Sequence, residues 1–462
     1  MSTNMSDDGS HSPPTITAVG RYLVLIVAFL GWMFAGVQMS ITSLVMRPAA
    51  IDLMDRVGSI DLEKYNALNK VIAQGDSEPS ADDQKLLTGW KALVAQWFAW
   101  YQCAFLFGAA AGGLIFGRLG DRIGRSKAMA ASILCYSILS AAACLAQSPL
   151  QLLALRFLAC TGVGGMWPNG VALVAEAWSG LSRPMVAGVI GTAANVGIFL
   201  MATVARIHGV TPDDWHWVML IGGSPVVLGL FALVAVPESP RWLAGRTTEE
   251  SGNQKKAPVS EVFHKPFLSV TLIGIALATV PLIGGWGSAN WMIPWADEAG
   301  ETANPPNPTL KADVLQARAF TGMVGSLLGG WIASIVGRRR CYFLVSLIAL
   351  GIAQYAFWFS YPTDKSFLLW VGALGFFSGI YFGWLPLFLP ELFPTRVRST
   401  GAGVSFNFGR ILTAVTIFAT GALRDYFAGD YAQIGRVTSL IYAVGILVIL
   451  FAPDTSKKEL ED

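Results

Sequence analysis

Charged residues are scarce in this sequence of 462 residues. Asp, Glu, Lys and Arg together make up 13% of it, whereas hydrophobic residues make up 53%. Soluble globular proteins carry about 25% charged residues, and so few charges could not cover the roughly three soluble domains that this length would allow. The formal net charge of +2 also excludes an electrostatic nucleic-acid binder, which needs a concentrated basic face. These numbers indicate a polytopic membrane protein.

The sequence also lacks the clusters of residues that catalytic, redox and metal sites require. Its five cysteines follow neither metal-ligand nor redox spacing, and none falls in a segment predicted to lie outside, so no disulfide framework is implied. Its four histidines are scattered along the chain. There is no nucleophile–base set, phosphate-binding loop or Walker-type segment. We therefore predict that the protein is not an enzyme, and that it has no metal, no cofactor and no nucleic-acid partner.

Long apolar segments account for most of the chain. A bilayer core of about 30 Å needs about 20 apolar residues per helix, and about twelve segments meet this requirement. The sequence thus predicts an all-α membrane protein in the lipid bilayer of the cell membrane, which is the inner membrane if the source is bacterial. Residues 1–20 and 453–462 are polar and are expected to be cytosolic tails, the first of them disordered. The predicted spans begin near Arg21, Leu93, Ala128, Leu150, Arg183, Trp217, Pro266, Ala312, Cys341, Phe367, Gly401 and Tyr431.

Basic residues concentrate in alternate loops. Lys and Arg are frequent after the second, sixth, eighth and tenth predicted spans, whereas the opposite loops are poor in base or carry acids, as at Asp213 and Asp297. Loops rich in Lys and Arg stay in the cytosol. We therefore expect both termini to be cytosolic.

The first loop on the outer side, residues 47–91, is unusually long for a connection between helices. Apolar residues recur at helical spacing between Leu62 and Ile72, and Gly75 supplies a stop signal. Ser80 is typical of the N-cap of a helix that would run into the second span. The sequence therefore predicts a small helical cap, with the role of a structured lid or spacer.

One sequence motif occurs twice, about half a chain apart. The segment GRLGDRIGR, which begins at Gly117, aligns with GWIASIVGR, which begins at Gly330, and both lie in a tight turn between two predicted spans. A second pair of segments, after the fourth and tenth spans, aligns with nearly the same offset along the chain. This repetition predicts two pseudo-symmetric halves of six helices, residues 21–236 and 266–452, joined by a cytosolic linker of residues 237–265.

The charged residues and glycines of these repeated segments are candidate gating residues. Glycines allow close helix approach and sharp turns, and the charges would hold the two halves together on the inner side until the protein opens inward. The alternative is an ordinary loop that obeys the positive-inside rule, but two copies at matching positions favour gating. The candidates are Gly117, Asp121, Arg122, Gly124, Arg125, Glu176, Arg183, Gly337, Arg338, Glu391 and Arg398.

The segment GRLGDRIGR resembles the signature loop of the major facilitator superfamily. The segments RFLACTGVGGMWPNGVALVAEAW, PESPRWL and LPELFPTRVRSTGAGVSFNFGR are similar to motifs of its branch with sugar porters, metabolite:proton symporters and organic anion and cation transporters. The resemblance covers nearly the whole chain apart from the N-terminal tail and the cap. It implies a twelve-helix fold, alternating access and a central cavity, with substrate contacts in the seventh and tenth spans.

Three arginines lie inside predicted spans, where ionisable side chains are costly and mark functional sites. Arg410 lies about ten residues into its span, hence about 15 Å deep. Arg318 and Arg156 lie one or two turns in from the outer surface, and no Asp or Glu occurs at comparable depth. Because guanidinium groups pair with carboxylates and phosphates, we predict an anionic organic substrate. The alternative is bonding to neighbouring helices, which we favour for Arg156 because the resembling branch has an arginine at the matching place.

Polar and aromatic residues inside the apolar segments complete the predicted substrate site. Aromatic faces with a few polar groups are typical of small-molecule pockets, although tryptophans also line membrane interfaces. Asn195 occupies the repeat position that is equivalent to Arg410. The candidates besides the three arginines are Gln38, Asn195, Trp286, Asn290, Tyr381, Trp384 and Asn407.

The first span bears on energy coupling. Metabolite:proton symporters of the resembling branch carry two acids where this chain has Ala35 and Gln38, so proton coupling, uniport and exchange stay open. We predict a secondary active or facilitative transporter, acting as a monomer, that moves an aromatic acid, a sugar acid or a similar small organic anion by alternating access. The alternatives are a sugar or polyol porter and, from another class, a non-transporting nutrient sensor with the same fold.

Overall fold

The computed structural model describes residues 16–74, 79–178, 183–239, 242–243, 259–394, 397–422 and 424–455, and these residues form helices, turns and loops without a strand. Within them, 12 helices are long and apolar enough to cross a membrane, which confirms the predicted number of spans. The helices run Ala18–Leu44, Ala81–Ile123, Arg125–Leu145, Pro149–Val174, Val189–His208, His216–Ala235, Leu268–Glu301, Leu310–Val336, Arg338–Phe359, Phe367–Glu391, Thr400–Thr420 and Tyr431–Phe451.

Parts of the predicted features lie outside the described residues. These are residues 1–15 of the N-terminal tail, Gly75 in the cap and most of the linker between the halves. The gating candidates Arg183 and Arg398 begin helices, but their side chains are likewise outside the described part of the chain.

Two glycines turn the chain at equivalent places in the two halves. Gly124 follows the second span and Gly337 follows the eighth, and their φ angles are 106° and 92°. Side chains disfavour this region of φ, whereas glycine enters it freely. The two copies of the repeated motif therefore share a backbone conformation that only glycine adopts without strain.

The helices pack as the two six-helix halves that the repeat predicts. Within the halves the second span lies against the fourth and the eighth against the tenth, while the fifth span packs on the eighth and the second on the eleventh to join the halves. We call the end of the bundle beside residues 46–91 the cap end. The opposite end, beside Gly124 and Gly337, is called the loop end.

The seventh span is not one continuous α-helix. It is α-helical over Leu268–Leu282, π-helical over Ile283–Ser288, 3₁₀-helical over Ala289–Trp291 and α-helical again over Met292–Glu301. Pro281 removes an N–H from the regular hydrogen-bond ladder, and three glycines follow in the π-helical segment. Irregular turns of this kind are frequent at functional sites.

The cap comprises two helices, Met46–Arg56 and Leu62–Gln74. The second is the helix predicted from its apolar spacing, and Tyr65 on it is buried. The first was not specifically predicted, and it continues almost directly from the first span. Ser80 Oγ accepts a hydrogen bond from the backbone N–H of Asp83 at 3.1 Å, so the predicted N-cap is present and the second span starts within the cap.

Candidate functional site

Asn290, in the 3₁₀ turn of the seventh span, connects four spans. Its Oδ1 accepts hydrogen bonds from Ser43 Oγ at 2.9 Å and from Arg318 Nη2 at 3.2 Å. Its Nδ2 donates to Gln102 Oε1 at 2.7 Å. Ser43 and Gln102 belong to the first half, and Asn290 and Arg318 belong to the second. This group of four side chains, the Asn290 cluster, therefore joins the halves in the interior of the bundle.

Two donors of the Asn290 cluster remain unpaired among the described residues. They are Arg318 Nη1 and Gln102 Nε2, both buried. A buried donor without a partner costs about 1–3 kcal/mol, so the cluster favours an acceptor that can take both hydrogen bonds. Gln102 was not among the predicted site residues. Its signal was the one that identified Gln38, an amide inside an apolar run.

Aromatic pairs flank the Asn290 cluster between the second and seventh spans. Phe105 and Trp286 stack with ring centroids 4.3 Å apart and planes at 27°. Phe98 packs on Trp291 at 5.4 Å. Phe98, Gln102 and Phe105 follow one another at helical spacing, so they share one face of the second span. The half-buried Trp286 thus lies beside the helix face that carries Gln102, and its role as a substrate contact stays a prediction.

Arg410 lies in the middle of the eleventh span. Its Nη1 donates a long hydrogen bond of 3.4 Å to Asn407 Oδ1, and its guanidinium lies 4.8 Å from the centroid of the Phe406 ring. Asn407 faces the second span, where a Cβ on Gly113 would be 3.4 Å from Asn407 Oδ1. Arg410 and Asn407 therefore lie on the side of the second half that faces the first.

Arg156 and Gln38 bind each other within the first half. Arg156 donates to Gln38 Oε1, to the Gln38 carbonyl and to Thr42 Oγ1, each at 3.0 Å. Gln38 Nε2 in turn donates to the carbonyl of Gly222 at 2.8 Å. The Arg156 guanidinium is thus solvated by three neutral oxygen atoms and ties the fourth span to the first, which is the structural alternative weighed above.

The remaining candidates lie apart from the Asn290 cluster in their described contacts. Asn195 is half-buried and faces the eighth span, where a Cβ on Gly322 would be 4.0 Å from its Oδ1. Tyr381 Oη is 2.6 Å from Ser346 Oγ within the second half. Trp384 Nε1 donates to the carbonyl of Arg338 at 2.9 Å. That contact places Trp384 beside the repeated motif at the loop end.

The second copy of the repeated motif forms a buried ion pair. Arg338 Nη2 lies 3.0 Å from Glu391 Oε1, and these side chains are 12% and 4% exposed. Arg338 Nη1 also donates to the carbonyl of Ala333 at 3.0 Å, and Thr455 Oγ1 donates to Glu391 Oε2 at 2.5 Å. The structure therefore brings together the gating candidates of the eighth, ninth and tenth spans.

The first copy pairs differently, because a carboxylate from outside the motif, Glu238, contacts it, and this residue was not among the predicted gating residues. Glu238 Oε1 accepts from the backbone N–H groups of Arg125 at 2.8 Å and Ser126 at 3.2 Å, so it caps the start of the third span. The side chain of Arg125 pairs with Asp121 at 2.7 Å. Glu238 lies in the PESPRWL segment, which had been noted only for its resemblance.

Three other gating candidates of the first half also lie at the loop end. Glu176 Oε2 accepts a hydrogen bond from Ser239 Oγ, so Glu176 contacts the same PESPRWL segment as the third span does. Arg122 is exposed, and the Cβ position of Gly117 has open space around it.

Ion pairs join the two halves at the cap end. Arg47, just beyond the first span, pairs with Asp297 at 2.9 Å and with Glu301 at 2.6 Å. Lys311 pairs with Asp297 at 2.8 Å and donates to the carbonyl of Val210 at 2.6 Å. Two further ion pairs connect the halves: Lys91 with Glu298 at 2.6 Å, and Arg206 with Asp313 at 2.7 Å. We call these contacts the cap-end ion pairs; they hold the bundle closed at this end.

The cap reaches the same ion pairs through Tyr65. Its Oη accepts from Arg47 Nη2 at 3.0 Å and lies 3.5 Å from Glu301 Oε2. Burial alone would lower the pKa of Arg47, but Glu301, Tyr65 and Asp297 beside it raise that pKa well above its ordinary value. Burial and then the charge of Glu301 raise the pKa of Tyr65, so both groups stay protonated at neutral pH.

The chain belongs to the Major Facilitator Superfamily, whose family model matches residues 87–417. The crystal structure of a D-xylose-proton symporter has the same fold, with a TM-score of 0.65 and 15% identity over 95% of this chain and 99% of that chain. The cis,cis-muconate transport protein of Acinetobacter baylyi is 27% identical over 353 residues, 75% of this chain and 83% of that protein. The sialic acid transporter of Escherichia coli is 25% identical over 344 residues, 73% of this chain and 80% of that protein.

These findings confirm the predicted class of protein. The chain is a multi-pass transporter of the plasma membrane that acts on small molecules, and it is not an enzyme.

Proposed function

We propose that this transporter carries small organic anions and that Arg318 and Arg410 bind their charged groups. The observation that carries the proposal is the state of these two guanidinium groups. Each lies inside a span and donates to one amide oxygen among the described residues, while the sequence has no Asp or Glu at their depth. An uncompensated charge at such a site is costly, and a bound carboxylate supplies both the opposite charge and the missing acceptors.

The surroundings of Arg318 support an anion with an apolar body. Gln102 Nε2 and Arg318 Nη1 both lack a described partner and both belong to groups bonded to Asn290, so one carboxylate can accept from the pair. The stacked rings of Phe105 and Trp286 offer an apolar wall beside them. The names of the two relatives, a muconate transport protein and a sialic acid transporter, also favour an organic acid.

The transport cycle follows from where the halves are joined. We assign the cap end to the outside and the loop end to the cytosol, as the distribution of basic residues favours. Alternating access then requires the cap-end ion pairs and the Asn290 cluster to separate. We assign the gating role at the loop end to the repeated motif, where Arg338 pairs with Glu391 and Arg125 with Asp121.

Asn290 offers a route from substrate binding to opening. Its Oδ1 is shared between Arg318 of its own half and Ser43 of the other half. A carboxylate that pairs with Arg318 competes with this amide oxygen, and the competition weakens a contact that keeps the halves together. Substrate binding and separation at the cap end are then linked, as a population shift requires.

Uptake by proteoliposomes tests the proposal. The purified protein is reconstituted, and labelled aromatic acids, sugar acids, neutral sugars and amines are compared with protein-free liposomes. We expect saturable uptake of one or more acids. Uptake of neutral sugars without uptake of any acid would overturn the proposal and favour the sugar porter.

A further inference from the structure

The three arginines that the sequence analysis singled out within the spans, Arg156, Arg318 and Arg410, differ in how fully their charge is accommodated. Arg156 donates three hydrogen bonds of 3.0 Å to neutral oxygen atoms. Arg318 donates one of 3.2 Å and Arg410 one of 3.4 Å to described residues. Arg156 shows how this fold solvates an arginine that has a structural role. Arg318 and Arg410 are thus two cations that both lack such a shell.

The two cations lie at different depths. Cys103 Sγ donates to the carbonyl of Ala414 at 3.2 Å, which aligns the second span with the eleventh. Gln102, which precedes Cys103, belongs to the Asn290 cluster with Arg318. Arg410 precedes Ala414 by four residues, so its backbone lies about 6 Å farther toward the loop end. Arg410 Nη1 lies 3.4 Å from Asn407 Oδ1, and that oxygen is next to Gly113, eleven residues beyond Gln102 on the second span. The two guanidinium groups are therefore offset along the bundle axis by about two to three helical turns.

An apolar surface lies beside the interval between these depths. Phe105 follows Gln102 by three residues and is about 4.5 Å closer to the loop end. Its ring stacks on Trp286 of the other half. Along the axis, the site therefore presents a cation with unpaired donors, then a flat aromatic wall and then, farther toward the loop end, a second cation.

Building on the proposed function, we infer that the substrate is a dianion: a small organic molecule with two carboxylate groups at the ends of a short, flat apolar segment. Arg318 and Gln102 bind one carboxylate, and Arg410 binds the other. A monoanion would compensate one guanidinium and leave the second cation without an opposite charge. Two carboxylates compensate both, while the apolar segment between them packs on the Phe105–Trp286 stack.

Matched pairs of acids test this inference on the unmodified protein. In each pair a methyl group replaces one carboxylate on the same skeleton: terephthalate with 4-methylbenzoate, and cis,cis-muconate with a hexadienoate of the same geometry. Both carboxyl groups are ionised at neutral pH. Affinity is measured by titrating thermal stabilisation of the purified transporter, and uptake is measured in proteoliposomes. We expect at least one diacid to bind about tenfold or more tightly than its methyl analogue.

Two single variants then assign the carboxylates. Arg318→Gln and Arg410→Gln should each reduce the affinity for the diacid to within about threefold of its methyl analogue. Arg436→Gln serves as the control, because Arg436 lies near the cap end and donates to the carbonyl of Phe357. This variant should keep the tenfold difference within the pair.

The outcomes separate this inference from the proposed function. Transport of the monoacids, with equal affinity for both members of each pair, would overturn the dianion and leave an organic-anion transporter. Loss of diacid affinity in only one of the two arginine variants would overturn two-point binding. Uptake of neutral sugars with no uptake of any acid would overturn the proposed function and the inference together.

Discussion

Replacing Arg47 by Met should open the transporter at the cap end. In the closed structure the Arg47 guanidinium donates to Asp297 Oδ2 at 2.9 Å and to both oxygen atoms of Glu301 at 2.6 and 3.0 Å. Arg47 belongs to the first half and both acids to the second. All three hydrogen bonds are therefore lost when the halves separate, and the substitution removes them from the closed state alone.

The size of the effect depends on the partners that Asp297 and Glu301 retain when Arg47 is removed. Breaking a buried pair by removing one partner costs about 3–5 kcal/mol when a charge is left stranded. Here Asp297 keeps Lys311 at 2.8 Å, and Glu301 is 27% exposed and can be hydrated. Charge-assisted hydrogen bonds contribute about 1.5–3 kcal/mol. We therefore expect the cap-closed state to become about 2–3 kcal/mol less stable relative to the cap-open state. This change raises the ratio of cap-open to cap-closed molecules about 30-fold to 150-fold.

Double electron–electron resonance measures this ratio. Spin labels are placed at Gln147 and Lys365, which are exposed at the cap end of the first and second halves, in a background without the native cysteines. We expect a longer distance to gain population in Arg47→Met. The matched control is Arg56→Met, because Arg56 lies on the same short helix but pairs with Asp52 of that helix at 2.9 Å. Identical distance distributions in wild type, Arg47→Met and Arg56→Met would refute this account of the cap-end ion pairs.

Three further predictions follow. Arg410→Ala should lower uptake of the transported acid about a hundredfold with normal gel-filtration behaviour, whereas Arg436→Ala should transport normally; wild-type uptake by Arg410→Ala would make its role structural. Ala35 and Gln38 stand where metabolite:proton symporters of the resembling branch carry acids, and Gln38 is bonded to Arg156. Uptake at saturating substrate should therefore be the same with and without an imposed pH gradient, and a higher uptake with the gradient would show proton coupling. Gly337→Ala should destabilise the protein by about 1–3 kcal/mol, seen as a lower melting temperature, because Gly337 has φ 92° and ψ 147°. Gly351→Ala, at an open helical position, should not.

Most of the fold could be predicted because hydrophobicity and repetition report on it directly. Apolar segments of span length identified the 12 helices that could cross a membrane in the described part of the chain. The alignment of the two motif copies anticipated the equivalence of Gly124 and Gly337, which share a positive φ. These features depend on residues close together in sequence, so a local pattern is sufficient to find them.

The site was only partly predictable because its contacts join distant segments. The hydrogen bond between Gln102 and Asn290 spans 188 positions, and no spacing rule connects them. The π-helical turn of the seventh span depends on how the chain packs around Pro281 and the glycines after it. The Arg156 guanidinium was recognisable as a buried charge, but its partners on the first span emerge only from the packing of the fourth span against it.

Trp384 shows that the orientation of a side chain within a helix is also hard to predict from the sequence. It was predicted as a substrate contact, by family resemblance, from its place in the tenth span. The structure gives it a hydrogen bond to the backbone of Arg338 and a stacked contact with Phe388 at 4.3 Å. One turn of helix decides whether a tryptophan faces a cavity or supports a loop, and sequence position alone does not resolve one turn.

Binding of a carboxylate and of its uncharged amide tests the central claim most directly. Whichever acid is transported is titrated into the purified protein beside the corresponding primary amide, which has nearly the same size and shape but no charge. If Arg318 and Arg410 recognise a negative charge, the acid should bind at least about tenfold more tightly than the amide, and Arg410→Gln should narrow that ratio. Equal affinity for the acid and the amide would contradict the account.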